Sequence, residues 1–83
     1  MKNQVIRNLI AQQISNIIED RNLTSYKLMK IGVNQSIQEA VLQKNKKKGT
    51  TYTIDTLMVF CDALGVESVT IEDGYVKIVP KVN

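Results

Sequence analysis

Lysine is the commonest side chain with a chemical group of its own in this chain of 83 residues, at nine positions. The sequence has no histidine, one cysteine (Cys61) and no cluster of carboxylates. Metal sites, nucleophilic triads and imidazole acid/base catalysis therefore lack their usual groups. Cys61 lies at helical spacing among apolar residues, where a cysteine behaves as a small hydrophobic side chain. We expect no enzyme, no cofactor, no metal ion and no small-molecule ligand.

Basic residues are concentrated in one segment of the chain. Residues 21–51 carry seven basic residues against one acidic residue, whereas the rest carries four basic residues against seven acidic ones. This segment includes a run of lysines: Lys44, Lys46, Lys47 and Lys48. Flexible ammonium groups suit contact with phosphates better than contact with base edges. The distribution of charge predicts a surface that meets a polyanion, and the alternative is a solvated lysine loop.

Length and composition are typical of one folded domain. The chain is 43% hydrophobic and 23% charged, and 83 residues suffice for a single core. No apolar run approaches the roughly 18 residues that a membrane span needs. We therefore expect a cytoplasmic protein that does not enter a membrane.

Four helices are predicted before residue 66, and the outer two are the longest. Residues 3–20 carry apolar side chains at spacings of three and four, with polar residues such as Arg7 on the opposite, solvated face. Thr53 is predicted to cap the fourth helix. That helix ends at Gly65, where a left-handed backbone conformation is easily adopted.

Two short helices joined by a turn are predicted between them. Thr24 or Ser25 can cap the second helix, which runs to about residue 30, with Leu28 and either Tyr26 or Met29 facing inward.

The turn and the third helix follow directly. Gly32 supplies a position where positive φ is allowed, and Asn34 caps a third helix that runs to about residue 43.

A β-hairpin is predicted after Gly65, because the apolar period changes there from three or four residues to two. Asp73-Gly74 is a strong signal for a two-residue turn. In that register one face of the hairpin is apolar and is formed by Val69, Ile71, Val76 and Ile78. An isolated hairpin is marginally stable, so this face either docks on the chain's own helices or joins a second copy. We divide the chain into residues 1–66 and a C-terminal extension, residues 67–83.

Several short motifs follow one another in order over residues 23–66. They are Leu23-Thr24, Leu28-Met29, Gly32-Val33, Ser36-Ile37, Val41-Leu42, Thr53-Ile54-Asp55-Thr56-Leu57 and Ala63-Leu64-Gly65-Val66. In this order and spacing they resemble the lambda-repressor/Cro-like (XRE) helix-turn-helix family of DNA-binding proteins. The resemblance implies a mainly α fold, namely a four-helix XRE-like helix-turn-helix domain, here with a C-terminal β-hairpin.

The resemblance also implies which side chains would meet DNA. Base contacts would come from the start of the third helix, through Gln35, Ser36, Gln38 and Glu39. Glutamine can pair with adenine, serine can donate or accept, and glutamate can accept from cytosine. Phosphate contacts would come from Lys27, Lys30, Asn34, Lys44, Lys46, Lys47 and Lys48. The alternative is that these residues form the solvated face of a helix.

The function that the resemblance implies is sequence-specific binding of double-stranded DNA by a transcriptional regulator. It would act as a homodimer on a palindromic site and repress by occupying a promoter. The alternative is a helix-turn-helix-like protein-interaction module, or an antitoxin-type partner, with little DNA binding. Three features favour that alternative: Met29 replaces the small alanine usual in the family, the turn is one residue short, and Glu39 is acidic. The short turn also leaves the register of the third helix open.

Overall fold

The computed structural model describes residues 4–44, 50–72 and 74–81. In these residues four helices precede an antiparallel hairpin of two strands. The elements are α1 (Gln4–Asp20), α2 (Ser25–Lys30), α3 (Gln35–Val41), α4 (Ile54–Leu64), β1 (Val66–Glu72) and β2 (Tyr75–Pro80). The predicted fold class, mainly helical with a C-terminal hairpin, is confirmed.

The predicted N-caps are confirmed for three helices. The side-chain oxygens of Thr24, Asn34 and Thr53 each accept a hydrogen bond from the backbone N–H three residues later, at 3.2, 2.9 and 3.3 Å. Each bond satisfies one of the amides that the first turn of a helix leaves without an internal partner. These caps fix where α2, α3 and α4 begin.

The first three helices end in the same way. Asn22, Gly32 and Gln43 all have positive φ, of 53°, 100° and 53°. The residue after each donates its N–H to the carbonyl oxygen five residues back, at 3.0, 2.9 and 3.0 Å. This is the Schellman arrangement, in which one left-handed residue closes the helix. Because Gln43 is that residue, α3 ends at Val41 and not near residue 43 as predicted.

One apolar core joins the helices and the hairpin. Its fully or nearly fully buried members are Ile6, Ile10, Ile14 and Ile17 of α1, Leu28, Val33 and Val41 around α2 and α3, Tyr52, Leu57, Phe60, Cys61 and Leu64 in and before α4, and Val76 and Ile78 of β2. The prediction that Arg7 lies on a solvated face is wrong, because this residue is only 6% exposed. Its guanidinium donates to the side-chain oxygen of Gln4 at 2.5 Å. This hydrogen bond replaces one that an exposed guanidinium would make to water.

The hairpin has the predicted register. Ile71 pairs with Val76 and Val69 pairs with Ile78. The apolar face packs on α1, mainly through β2, so the hairpin docks on the chain's own helices. The predicted division between residues 66 and 67 falls inside β1.

A polar contact from α1 reinforces this docking. The side-chain amide nitrogen of Gln13 donates to the carbonyl oxygen of Val76, and its oxygen accepts from the backbone N–H of Ile78 at 2.7 Å. One glutamine thus occupies the edge of β2 that faces away from β1.

Candidate nucleic-acid interface

α2, the turn of residues 31–34 and α3 form a compact unit, which we call the reading unit. Val33 is fully buried in the turn, and its N–H donates to the carbonyl oxygen of Leu28, itself 2% exposed. The Schellman turn at Gly32 therefore brings the last residue before the cap of α3 back against α2. This fixes the direction in which α3 leaves the turn.

Gln38 holds the reading unit together from inside, and its predicted exposure to DNA is wrong. The side chain is 1% exposed. Its amide nitrogen donates to the carbonyl oxygens of Val33 at 2.9 Å and Ser25 at 3.2 Å, and its oxygen accepts from the Ser25 hydroxyl at 2.8 Å. Burial is possible because these partners replace water. In this conformation the amide cannot reach a base edge.

A spacing in the sequence indicates the burial of Gln38. Val41 follows three residues later, on the same side of α3, and Val41 is fully buried. The prediction placed every polar residue at the start of α3 on its outer face and so overlooked the spacing between Gln38 and Val41.

The other three predicted base-contact residues lie together in solvent. Gln35, Ser36 and Glu39 are all exposed on the first turn and a half of α3. They present an amide, a hydroxyl and a carboxylate, which are the kinds of groups that read donors and acceptors in the major groove. The carboxylate of Glu39 would be repelled by a nearby phosphate.

Three of the described lysines lie on α2 or after α3. Lys27, Lys30 and Lys44 are all exposed. The ammonium nitrogen of Lys27 donates to the carbonyl oxygen of Asn22 at 3.3 Å, and that of Lys30 lies 4.9 Å from the centre of the Tyr26 ring. Both ammonium groups thus make one weak contact each with the chain.

The remaining phosphate-contact candidates differ from these. The side chain of Asn34 is exposed but already engaged in capping α3. Lys46, Lys47 and Lys48 lie outside the described residues.

Arg21 belongs to the basic segment of the sequence but has a structural contact. It donates to the carbonyl oxygen of Leu64 at the end of α4. A cation at the C-terminus of a helix is favourable there.

Gln43 is a residue that the sequence did not single out. Its side-chain nitrogen donates to the carbonyl oxygen of Thr50 at 2.8 Å, and its oxygen accepts from the Thr50 N–H at 3.2 Å. The same oxygen accepts from Gln4 of α1 at 3.0 Å. Gln43 therefore ties together the two ends of the lysine-rich connection and anchors them to α1. These bonds offset the left-handed backbone that this residue adopts.

The outer surface of α2 is more apolar than predicted. Leu28 faces inward as expected, but Tyr26 and Met29 are 65% and 51% exposed, so the expectation that one of them is buried is wrong. α2 has only six residues, and one inward position per turn leaves its other side chains outside.

Among the described residues no group of Cys, Asp or Glu is arranged to hold a metal ion. Burial raises the pKa of the Cys61 thiol, and the negative charge of Asp62 raises it further. The thiol is 1% exposed and packs in the core, as a small apolar side chain would. None of the described helices has the length and apolar character that crossing a bilayer requires.

A short helix, a glycine turn and a second helix with polar side chains on its exposed start define a helix-turn-helix DNA-binding domain. A family model described as a Cro/C1-type HTH DNA-binding domain matches residues 13–73, which is most of the chain. The chain belongs to this family and is a DNA-binding regulator, so the resemblance found in the sequence is confirmed. The match extends through β1, beyond the residues that carried the resemblance. No curated protein and no solved structure matches the chain.

Proposed function

We propose that this protein binds a specific sequence in double-stranded DNA as a homodimer and represses transcription by occupying a promoter. α3 would enter the major groove, with Gln35, Ser36 and Glu39 directed at base edges. The observation that carries the proposal is the exposure of these three side chains on a helix whose orientation Gln38 fixes from within. Occupation of the promoter would require binding alone, without a catalytic step or a cofactor, in the cytoplasm.

Affinity would come mainly from the lysines. Lys27 and Lys30 lie on α2, Lys44 follows α3, and Lys46, Lys47 and Lys48 come next in the sequence. Contacts between ammonium groups and phosphates release counterions, so they strengthen binding to any sequence and make it depend on salt.

Titration of the protein into a fluorescent random duplex tests DNA binding. We expect tight binding at low salt that weakens steeply as salt is added. The combined Lys46→Ala, Lys47→Ala and Lys48→Ala variant should lower the slope of log K against log salt by about 1 for each lysine that contacts a phosphate. The matched control is the Lys77→Ala and Lys81→Ala double variant, which removes exposed lysines from the hairpin side and should leave the slope nearly unchanged. A folded protein that does not bind at low salt would contradict the proposal.

Selection of a preferred duplex from a random library tests sequence specificity. Once a site is known, Gln35→Ala, Ser36→Ala and Glu39→Ala should each relax preference at one base pair by about 1–3 kcal/mol. The control is Gln12→Ala, which removes an exposed glutamine from α1 and should leave the preference unchanged. If the selection returns no preferred sequence, the protein binds DNA without sequence specificity and that part of the proposal is wrong.

A protein-interaction module is the second candidate. It is favoured by one observation, the exposed apolar surface that Tyr26, Met29 and Ile31 form on and after α2. Exposed apolar side chains in such a cluster are typical of surfaces that contact another protein. The DNA titration separates the two candidates, because a module of this kind has no reason to bind a random duplex at low salt.

A further inference from the structure

The two outer edges of the hairpin differ. The sheet has two strands, so each strand has one edge without a strand neighbour in the described part of the chain. On β2, Gln13 covers that edge with two hydrogen bonds. β1 has no equivalent contact among the described residues, and its backbone edge is seven residues long. An uncovered edge of this kind can pair with another strand.

The bonds of Gln13 also establish which groups of β1 point outward. The N–H of Ile78 and the carbonyl of Val76 point away from β1 toward Gln13. In an antiparallel pair, the residue opposite an outward-pointing residue also points outward. The partners are Val69 and Ile71, so their N–H and carbonyl groups lie on the uncovered edge of β1.

Burial is incomplete at the same place. Val76 and Ile78 of β2 are 5% and 7% exposed, whereas Val69 and Ile71 of β1, which face the same core, are only partly buried. A further strand beside β1 would cover their remaining apolar surface and satisfy their backbone groups together.

We propose that two copies of the chain pair through β1, antiparallel and about a two-fold axis at Thr70, to form a sheet of four strands. The inference gives the interface of the homodimer in the proposed function, and it can be tested without DNA. In this register Val69 of one copy lies opposite Ile71 of the other, which joins the outward-pointing backbone groups as hydrogen-bonded pairs.

Between residues 68 and 72 this register places no like charges opposite each other. Across the axis Thr70 faces Thr70 of the second copy, a favourable cross-strand pair. Glu72 faces Ser68 of the second copy, so its carboxylate meets a hydroxyl and not another carboxylate. The bulge between Val66 and Ser68 ends regular pairing on one side. Such a contact uses the same patch on both copies and closes as a dimer.

Analytical ultracentrifugation of the protein alone, over a range of concentrations, tests the interface. We expect a monomer–dimer equilibrium. Thr70→Glu places like charges opposite each other at the axis, while within one chain the new carboxylate lies opposite Lys77 and does not disfavour the hairpin. This variant should raise the dissociation constant about fivefold. Ser68→Lys is the matched control on the same exposed face, and because it would meet Glu72 of the second copy, it should not weaken the dimer.

Mixing two variants makes the test specific for the axis. Thr70→Glu, and Thr70→Lys combined with Lys77→Thr so that no like charges oppose each other within one chain, should each dimerise poorly alone. The two should form heterodimers when mixed, because opposite charges then face each other across the axis. Far-ultraviolet circular dichroism checks that each variant is folded. A wild-type protein that stays monomeric, or a folded Thr70→Glu variant with unchanged dimerisation, would overturn the proposal. A dimer with these responses that binds no DNA would instead overturn the proposed function alone.

Discussion

The reading unit and the hairpin are held in place by different forces. The hairpin packs its apolar face on the isoleucines of α1, and its buried members Val76 and Ile78 belong to the central core. The reading unit contributes few buried apolar residues, namely Leu28, Val33 and Val41. Its helices are short and are held by end caps, a Schellman turn and the buried amide of Gln38.

Both regions use one glutamine amide in the same way. Gln13 of α1 hydrogen-bonds to the backbone of β2, and Gln38 of α3 hydrogen-bonds to the backbone of α2 and the turn. The difference is burial, since Gln38 is 1% exposed whereas Gln13 is only partly buried. Water can replace the partners of Gln13 and can reach the exposed Ser25, but it has little access to the Val33 carbonyl that Gln38 binds. The comparison suggests that apolar burial provides the stability of the fold, while a buried polar network determines the orientation of α3.

The largest effect is expected in the apolar core. Ile10→Ala removes a fully buried side chain of α1 and leaves a cavity, so the free energy of unfolding should fall by about 2–5 kcal/mol. Denaturant unfolding followed by circular dichroism measures this change. Because one core serves both regions, they should unfold in one transition. The control, Val59→Ala, changes an exposed side chain of α4 and should alter stability by less than about 0.5 kcal/mol. Two separate transitions would contradict a shared core.

A smaller loss of stability but a selective loss of function is expected at Gln38. Gln38→Ala leaves the buried carbonyl oxygen of Val33 and the groups of Ser25 without their partner, which should lower the free energy of unfolding by about 1–3 kcal/mol. Because the amide fixes α3, affinity for DNA should fall even at temperatures where the variant remains folded. Gln35→Ala, an exposed neighbour on α3, should leave stability unchanged. Full DNA affinity in a folded Gln38→Ala variant would show that another contact orients the helix.

A loss confined to stability is expected at Gln13. Gln13→Ala removes the two bonds to β2, and since water can reach this site, the free energy of unfolding should fall by about 1 kcal/mol. Hydrogen exchange at the amide of Ile78 should accelerate, while DNA affinity should not change. Gln12→Ala, an exposed neighbour, provides the comparison. A loss of DNA affinity as large as that of Gln38→Ala would remove the distinction between the two glutamines.

The sequence predicted the features that depend on local rules. The caps at Thr24 and Asn34, the left-handed Gly32 and Gly65, and the hairpin register follow from short-range patterns, and the structure has all of them.

The roles of the glutamines were not predicted in this way. The spacing between Gln38 and Val41 indicates burial, but only the positions of backbone groups in the fold decide which partners Gln13, Gln38 and Gln43 have. Arg7 was also assigned wrongly, since it is buried and donates to the side chain of Gln4. The exposed base-contact candidates were therefore predicted from helical periodicity, whereas the residues that position them were not.

The smallest effect on stability at neutral pH is expected at Tyr52, which lies in the sequence between the reading unit and the hairpin, just before α4. Burial, only partly offset by the positive charge of Arg7, raises the pKa of this phenol from 10.0 to about 12. The folded protein thus retains the proton to higher pH than the unfolded chain does. This contribution to stability is complete below about pH 10 and is lost as pH rises toward 12. Unfolding measured from pH 8 to 12 should therefore show a steeper decline in the wild type than in Tyr52→Phe, which has no phenol to ionise. Parallel declines would mean that ionisation of this tyrosine is not linked to folding.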